Sequence, residues 1–276
     1  MYPITAKTAL EHRESVLKEK IKKLWVTPKL AIVTDFSDAA SKVYIRNKVR
    51  KAEDLGMHTT VFDLRSPLDT FELDKRLKAY HGVIFQQPMR PEAIADMTTL
   101  LEALEPYQDV DGFRPDSPYL PCTAQGVLNL LKGNAVVIER KVVLIIGRGK
   151  LAAEPLRKVL SSKEYNCTVI QAHSHTRKCD IWKLMEIADI IISAVGIPEI
   201  WQDIPDPHQK ILVDIGISFN SAGKLVGDFS NEVREKAFCA TPVPGGVGPM
   251  TVMSLMENVV FAASYANAQA IKNLPK

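Results

Sequence analysis

Residues 141–146 (KVVLII) constrain the fold of this chain more than any other stretch. They read as a strand buried on both faces and run straight into Gly147-Arg148-Gly149-Lys150-Leu151-Ala152. A short apolar run bounded by glycine fits a central strand of a parallel sheet, where helices cover both faces. The rest of the sequence repeats the theme. Strand-like runs at 30–34 (LAIVT), 58–62 and 82–86 alternate with helical spacing at 41–55, 70–80 and 91–104. Gly56 stops the first of these helices, and Pro91 suits the start of the last. Beyond residue 146 come a helix at 151–160, a strand at 168–171, a helix at 181–187 and strands at 190–194 and 211–214. Such alternation predicts an α/β fold of two αβα domains with parallel sheets. We place the first domain at residues 1–120, a linking helix within 121–139 and the second domain at 140–251. An apolar helix at 252–272 is expected to pack back on the first domain.

A chain of 276 residues is long enough for two such domains, each with its own core. The net charge of +3 gives no basis for nucleic-acid binding. The basic run Arg46-Asn47-Lys48-Val49-Arg50-Lys51 is followed by Glu53 and Asp54 and reads as a solvated helix face. Cys122, Cys167, Cys179 and Cys239 show no metal-ligand spacing and no CxxC, as expected of reduced thiols and of a protein without a metal. Residues 6–24 read as a charged amphipathic helix, not a signal peptide. The uncharged stretch 237–256 carries prolines and glycines that exclude a spanning helix. The expectation is a cytoplasmic protein with no membrane partner.

The segment after KVVLII is GxGxxA between a strand and a helix. Gly147 permits a tight turn, Gly149 lets backbone approach a pyrophosphate, and Ala152 allows close strand–helix packing. The second domain is therefore expected to be a Rossmann-type dinucleotide-binding domain, with a plain structural turn as the alternative. The acid that would accept from a ribose 2′-hydroxyl is missing at the end of the next strand. Gln171-Ala172-His173-Ser174-His175-Thr176-Arg177-Lys178 stands there instead. Hydroxyl, imidazole and basic groups suit a 2′-phosphate, and Arg148 could reach it too, which favours NADP over NAD. His173 and His175 also read as two polar loop residues.

Residues 241–251 (TPVPGGVGPMT) cannot be an ordinary helix or central strand, because proline removes donors and glycine costs backbone entropy. They read as a rigid loop that exposes backbone N–H groups to a ligand and hands over to a helix near Thr251, or as an elaborate turn. In the first domain, Tyr44 and Lys48 lie at i, i+4 on one helix face, a spacing equally natural for a solvated edge. Gln86-Gln87-Pro88 ends a strand, where ligands gather in open α/β sheets. Asp109-Val110-Asp111-Gly112 sits in a long loop and also reads as an Asx turn. A lysine, an amide and a carboxylate so placed suit proton handling around a small polar substrate.

Taken in order, these motifs resemble the bifunctional methylenetetrahydrofolate dehydrogenase/cyclohydrolase family. The resemblance covers nearly the whole chain: Tyr44-Ile45-Arg46-Asn47-Lys48, Gln86 with Pro88, Asp109-Val110-Asp111-Gly112-Phe113, and Pro121-Cys122-Thr123 with Gly126. It continues through Gly147-Arg148, His173-Ser174 with Thr176, Asp214-Ile215-Gly216-Ile217 and PVPGGVGPMT at 242–251. It implies oxidation of 5,10-methylenetetrahydrofolate with NADP⁺, then hydrolysis of the methenyl product to 10-formyltetrahydrofolate, by a homodimer. By the same resemblance Lys48 is the catalytic lysine, and Gln86 positions it. Tyr44 and Asp111 complete the catalytic group and bind the pterin, with Pro249 also on the substrate side. Thr123, Gly147, Arg148, Gly149, Ser174, Ile217, Gly248 and Thr251 match cofactor-contacting positions. The chain departs from the family pattern at Gly149, Ala153 and Glu154, at Ile197, at Ala124, at Asp35-Phe36-Ser37 and at Ser117-Pro118-Tyr119. Glu154, beside the phosphate turn, could weaken NADP binding by charge repulsion. A monofunctional enzyme of the same fold and a non-catalytic folate- or nucleotide-binding module are the alternatives.

Overall fold

The computed structural model describes residues 2–37, 39–65 and 70–272. In chain order its elements begin with β1 (Tyr2–Pro3), α1 (Lys7–Lys22), β2 (Lys29–Thr34), α2 (Ala39–Asp54), β3 (His58–Asp63), α3 (Thr70–Leu77), β4 (Gly82–Phe85), α4 (Pro91–Ala103) and α5 (Cys122–Gly133). They continue with β5 (Val142–Ile146), α6 (Ala153–Leu160), β6 (Thr168–Ala172), α7 (Lys178–Ile187), β7 (Ile190–Ser193), β8 (Ile211–Asp214), β9 (Ser218–Phe219), β10 (Leu225–Val226), α8 (Asn231–Lys236), β11 (Cys239–Ala240) and α9 (Val247–Lys272). The chain divides into two compact units, His12–Cys122 with Val252–Lys276, and Met1–Glu11 with Thr123–Thr251.

The first unit is built on a parallel sheet of order β3-β2-β4. Leu30 to Val33 of β2 are wholly buried, as a strand flanked on both edges and covered on both faces must be. One face packs Ala31, Val33, Val83 and Phe85 against Leu73 and Leu77 of α3 and Leu100 of α4. The chain steps from β2 to β3 on one side and to β4 on the other. The C-terminal ends of β2 and β4 are therefore a topological switch point, where open α/β sheets bind ligands. A bridge between Val83 and Asp109 draws the long loop alongside β4. The part of α9 from residue 252 packs on this unit as expected: Arg13 donates to both oxygens of Glu257, and Tyr265 lies 4.9 Å from Tyr107 between ring centres.

The second unit carries a six-stranded parallel sheet of order β1-β11-β8-β7-β5-β6. KVVLII supplies its β5, with Val143, Leu144 and Ile145 fully buried. The connections reverse between β6 and β7, so its switch point lies at the ends of β5 and β7, as in a Rossmann-type domain.

Three boundaries differ from the sequence reading. Met1–Glu11 cluster with the second unit rather than with residues 12–122. Tyr2 and Pro3 pair with Cys239 and Ala240, and Ile4 N–H donates to Ala240 O, a contact across the length of the chain that no local pattern encodes. The last helix starts at Val247, not 252, because Pro249 falls in its first turn, where a missing N–H costs nothing. Helix α6 starts at Ala153 rather than 151, so the glycine turn is longer than GxGxxA implies. The short β9–β10 pair, α8 and β11 lie below the length at which periodicity speaks.

Candidate active site

In the first unit, Tyr44 and Lys48 stand one turn apart on α2, both half-buried. Gln86 follows β4, its N–H still bonded to Val33 O at 2.8 Å as a continuation of the ladder. The adjacency of β2 and β4 brings α2 over this point, and Lys48 Nζ donates to Gln86 Oε1 at 2.9 Å. The amide cannot turn over freely, because its Nε2 donates to Gln87 O at 2.7 Å. Ser41 Oγ donates to the same carbonyl, tying the start of α2 to it. The Gln86 oxygen is thus held toward the lysine.

The DVDG loop lies next to β4. Asp109 is buried, and its Oδ2 accepts from Arg114 N at 2.7 Å. Burial pushes its carboxyl up to about 6, and the nearby Asp111 adds to the rise. Asp111 is half-buried, and its carbonyl accepts from Cys122 N at 3.3 Å. The Cys122 thiol is fully buried, and it senses the charges of both Asp111 and Lys48. Burial and Asp111 hold that thiol far above its ordinary range, so it is a neutral S–H. Tyr44, Lys48, Gln86 and Asp111 thus belong to one compact unit, with Lys48 bonded to Gln86 and Cys122 beside Lys48 and Asp111.

In the second unit, Gly147 follows β5 with φ +131°, and a Cβ there would lie 2.7 Å from Ala194 O. Glycine is required at that turn. A Cβ at Gly149 would meet nothing within 4 Å, so the backbone there is bare. Arg148, Gly149 and Ser174 are exposed. No acid stands at the end of β6, where His173 N–H donates to Thr176 Oγ1 and the His173 and His175 rings lie 5.9 Å apart. A Cβ on Gly126 of α5 would come 2.8 Å from Thr251 N, so the Thr123 end of α5 and the first turn of α9 pack closely. Gly248 in that turn faces the Ile217 side chain. Ser218 Oγ donates to Gly196 O, linking this group to the loop that abuts Gly147. Gly126, Thr251, Gly248, Ile217, the 194–196 loop and Gly147 are thus linked in turn, with Thr123 near the start of α5. Pro249 is exposed at the start of α9, in this same unit.

Residues 3–111 match the family described as tetrahydrofolate dehydrogenase/cyclohydrolase, catalytic domain, and residues 121–267 match its NAD(P)-binding domain. The chain belongs to the tetrahydrofolate dehydrogenase/cyclohydrolase family. It is 35% identical over 270 residues to the bifunctional protein FolD of Streptococcus thermophilus, covering 92% of each chain. The bifunctional dehydrogenase/cyclohydrolase structure from Campylobacter jejuni superposes with a TM-score of 0.84 at 30% identity, over 96% of this chain and 99% of that one. The Trypanosoma brucei enzyme, solved with NADP cofactor and an inhibitor, gives a TM-score of 0.84 at 26% identity, over 96% and 98%.

A tetrahydrofolate dehydrogenase/cyclohydrolase needs a dinucleotide cradle, and the second unit's residues fit one: a glycine turn after the central strand, a bare backbone at Gly149, and basic and hydroxyl groups beyond β6. Glu154 does not present a free charge to it. Arg157 donates to both of its oxygens at 3.0 and 2.8 Å, and Lys158 lies 3.7 Å away. The Arg157 bond first, and then its charge, holds the Glu154 carboxyl below its usual range.

One feature of this family member escaped the sequence reading. Asp228, fully buried, accepts from Ser193 Oγ at 2.7 Å and from the N–H groups of Val195, Gly196 and Ile197. Its neighbour Asp214 accepts from Asp228 N and Phe229 N. Burial pushes the Asp214 carboxyl up to about 7. The available signal was two acids, each close to glycine, in Asp214-Ile215-Gly216 and Gly227-Asp228, within otherwise apolar sequence.

Proposed function

We propose that this chain oxidises 5,10-methylenetetrahydrofolate to the 5,10-methenyl form with NADP⁺ and hydrolyses that product to 10-formyltetrahydrofolate. The observation that carries the reading is the Lys48–Gln86 hydrogen bond at the C-terminal end of β4, in a chain of this family. Lys48 Nζ is the catalytic group for hydrolysis. Its nitrogen lone pair takes the proton of the water that adds to the one-carbon bridge, while Gln86 Oε1 accepts from one of its N–H groups and keeps that nitrogen aimed. Asp111 accepts from the pterin ring, and Tyr44, one turn before Lys48, lies against it.

Residues 12–122 with 252–272 form the folate-binding catalytic unit, and 123–251 the cofactor unit. NADP⁺, when bound, supplies the hydride acceptor. The turn at Gly147, Arg148 and Gly149 would hold its phosphates, Ser174 and the histidines would serve the 2′-phosphate, and Thr123, Ile217, Gly248 and Thr251 would contact the rest of it. Pro249 belongs to the substrate side. The oxidation asks the protein chiefly for alignment, since the folate nitrogens provide the electronic push. By family resemblance the enzyme is a cytoplasmic homodimer.

The test is Lys48→Met, with NADPH formation and methenyl-folate consumption followed on one preparation. Loss of about 1000-fold or more in cyclohydrolase rate, with NADP⁺ still bound, is expected. A full cyclohydrolase rate in that variant would refute the assignment.

A further inference from the structure

The DVDG loop is held at one atom by two side chains, of which Asn258 lies outside every family motif named above. The carbonyl of Val110, the residue before Asp111, accepts from Asn258 Nδ2 at 2.9 Å and from Cys122 Sγ at 3.2 Å. Asn258 Nδ2 also lies 3.5 Å from that sulfur, so the three groups close a triangle. Val110 itself is wholly buried and packs onto Gly82, where a Cβ would lie 2.7 Å from Val110 Cγ1. The Val83–Asp109 bridge and the Arg114 N–H on Asp109 hold the residue before it. The residue after it, Asp111, projects from the clamped peptide and is bonded through its own carbonyl to Cys122 N. Rotation of the 110–111 peptide, whose carbonyl the clamp grips, would swing the Asp111 side chain.

We infer that Asn258, on the last helix, is a positioning residue for substrate: with the Cys122 thiol it fixes the Val110–Asp111 peptide and so aims the Asp111 carboxylate at the pterin. This rests on the reading of Asp111 as the pterin-binding acid. A buried carbonyl that loses a donor turns to find another, which here misaims the carboxylate. The effect belongs to folate binding and not to the dinucleotide unit, since Asn258, Val110, Asp111 and Cys122 lie in one unit.

The experiment measures KM for methylenetetrahydrofolate and for NADP⁺, kcat and thermal stability in Asn258→Leu, Asn258→Ser, Asp111→Ala and the double variant Asp111→Ala/Asn258→Leu. Asn258→Leu should raise the folate KM about tenfold and leave the NADP⁺ KM within about twofold. Asn258→Ser keeps a donor and should restore part of the loss. In the double variant Asn258→Leu should add nothing to Asp111→Ala, because both act through one carboxylate. An unchanged folate KM in Asn258→Leu, or an equal rise in both KM values, overturns the positioning role. If that variant does not fold, Asn258→Ala takes its place in the single and the double variant, and an unchanged folate KM, or an effect that adds to that of Asp111→Ala, overturns it equally. A wild-type folate KM in Asp111→Ala overturns the reading of Asp111 itself, and the inference with it, whereas failure at Asn258 alone leaves Asp111 standing.

Discussion

A Cβ at Gly216 would overlap the carboxylate of Asp228, and a Cβ at Gly227 would overlap that of Asp214. The two glycines therefore make room reciprocally for two buried acids, neither of which can withdraw. Asp228 holds three backbone N–H groups and a hydroxyl, and Asp214 holds two more N–H groups. Gly216→Ala should cost about 3 kcal/mol or more, since the added methyl must displace a fully bonded, desolvated carboxylate. Gly149→Ala, with nothing within 4 Å, should change stability by less than about 0.5 kcal/mol. Urea unfolding of the two variants separates these outcomes, and equal effects would contradict the steric reading.

At the scale of an element, the turn between β2 and α2 is organised by one acid. Asp35 is wholly buried. Its Oδ1 accepts from the Ser37 N–H and hydroxyl, and its Oδ2 from the Arg90 N–H and Nε. Burial alone would raise its pKa, but these donors outweigh burial and take it from 3.8 down to about 2. A folded-state pKa below the unfolded value means stability that is present above about pH 4 and lost as pH falls through about 2. Asp35→Asn should thus cost about 2 kcal/mol at pH 6, and the gap from wild type should close between about pH 4 and pH 2. Asp109 works in the opposite sense. Its carboxyl is raised from 3.8 to about 6, so its contribution is complete below about pH 4 and lost as pH rises through about 6. Asp109→Asn should flatten the stability profile across that window, and denaturant midpoints taken from about pH 2 to pH 7 check both signs. The alteration of this turn to Asp35-Phe36-Ser37 was visible in sequence. Its anchoring by Arg90 was not, because the partners lie 55 residues apart.

For the whole molecule, cofactor preference follows from what surrounds the end of β6. Arg148 is exposed beside Gly147, two histidines stand in the turn after β6, and no acid lies among residues 173–178. One charge-assisted contact to a 2′-phosphate is worth about 1.5–3 kcal/mol, so kcat/KM for NADP⁺ should exceed that for NAD⁺ by about tenfold or more. Arg148→Ala should bring the ratio toward one. A preference for NAD⁺ in the unaltered enzyme would contradict the reading. Among the described residues no helix is long and apolar enough to cross a membrane, and no group of three or more His, Cys, Asp or Glu could hold a metal ion. What was legible beforehand was whatever repeats locally or forms a contiguous motif. The apolar strands at 30–34 and 141–146, the helices between them, the glycine turn and the Tyr44–Lys48 spacing all belong there, since periodicity records burial of one face or both. The α/β class and the family follow from these. Only the tertiary structure decided which distant residues meet. It set Asp228 over the loop after β7, seated Asn258 on Val110 and placed residues 2–11 with the second unit, whereas the Lys48–Gln86 pairing across 38 positions was already expected from the family resemblance. It also started the last helix at Val247 inside the Pro/Gly stretch. Each depends on strand order and on buried polar groups finding partners, and a local pattern contains neither.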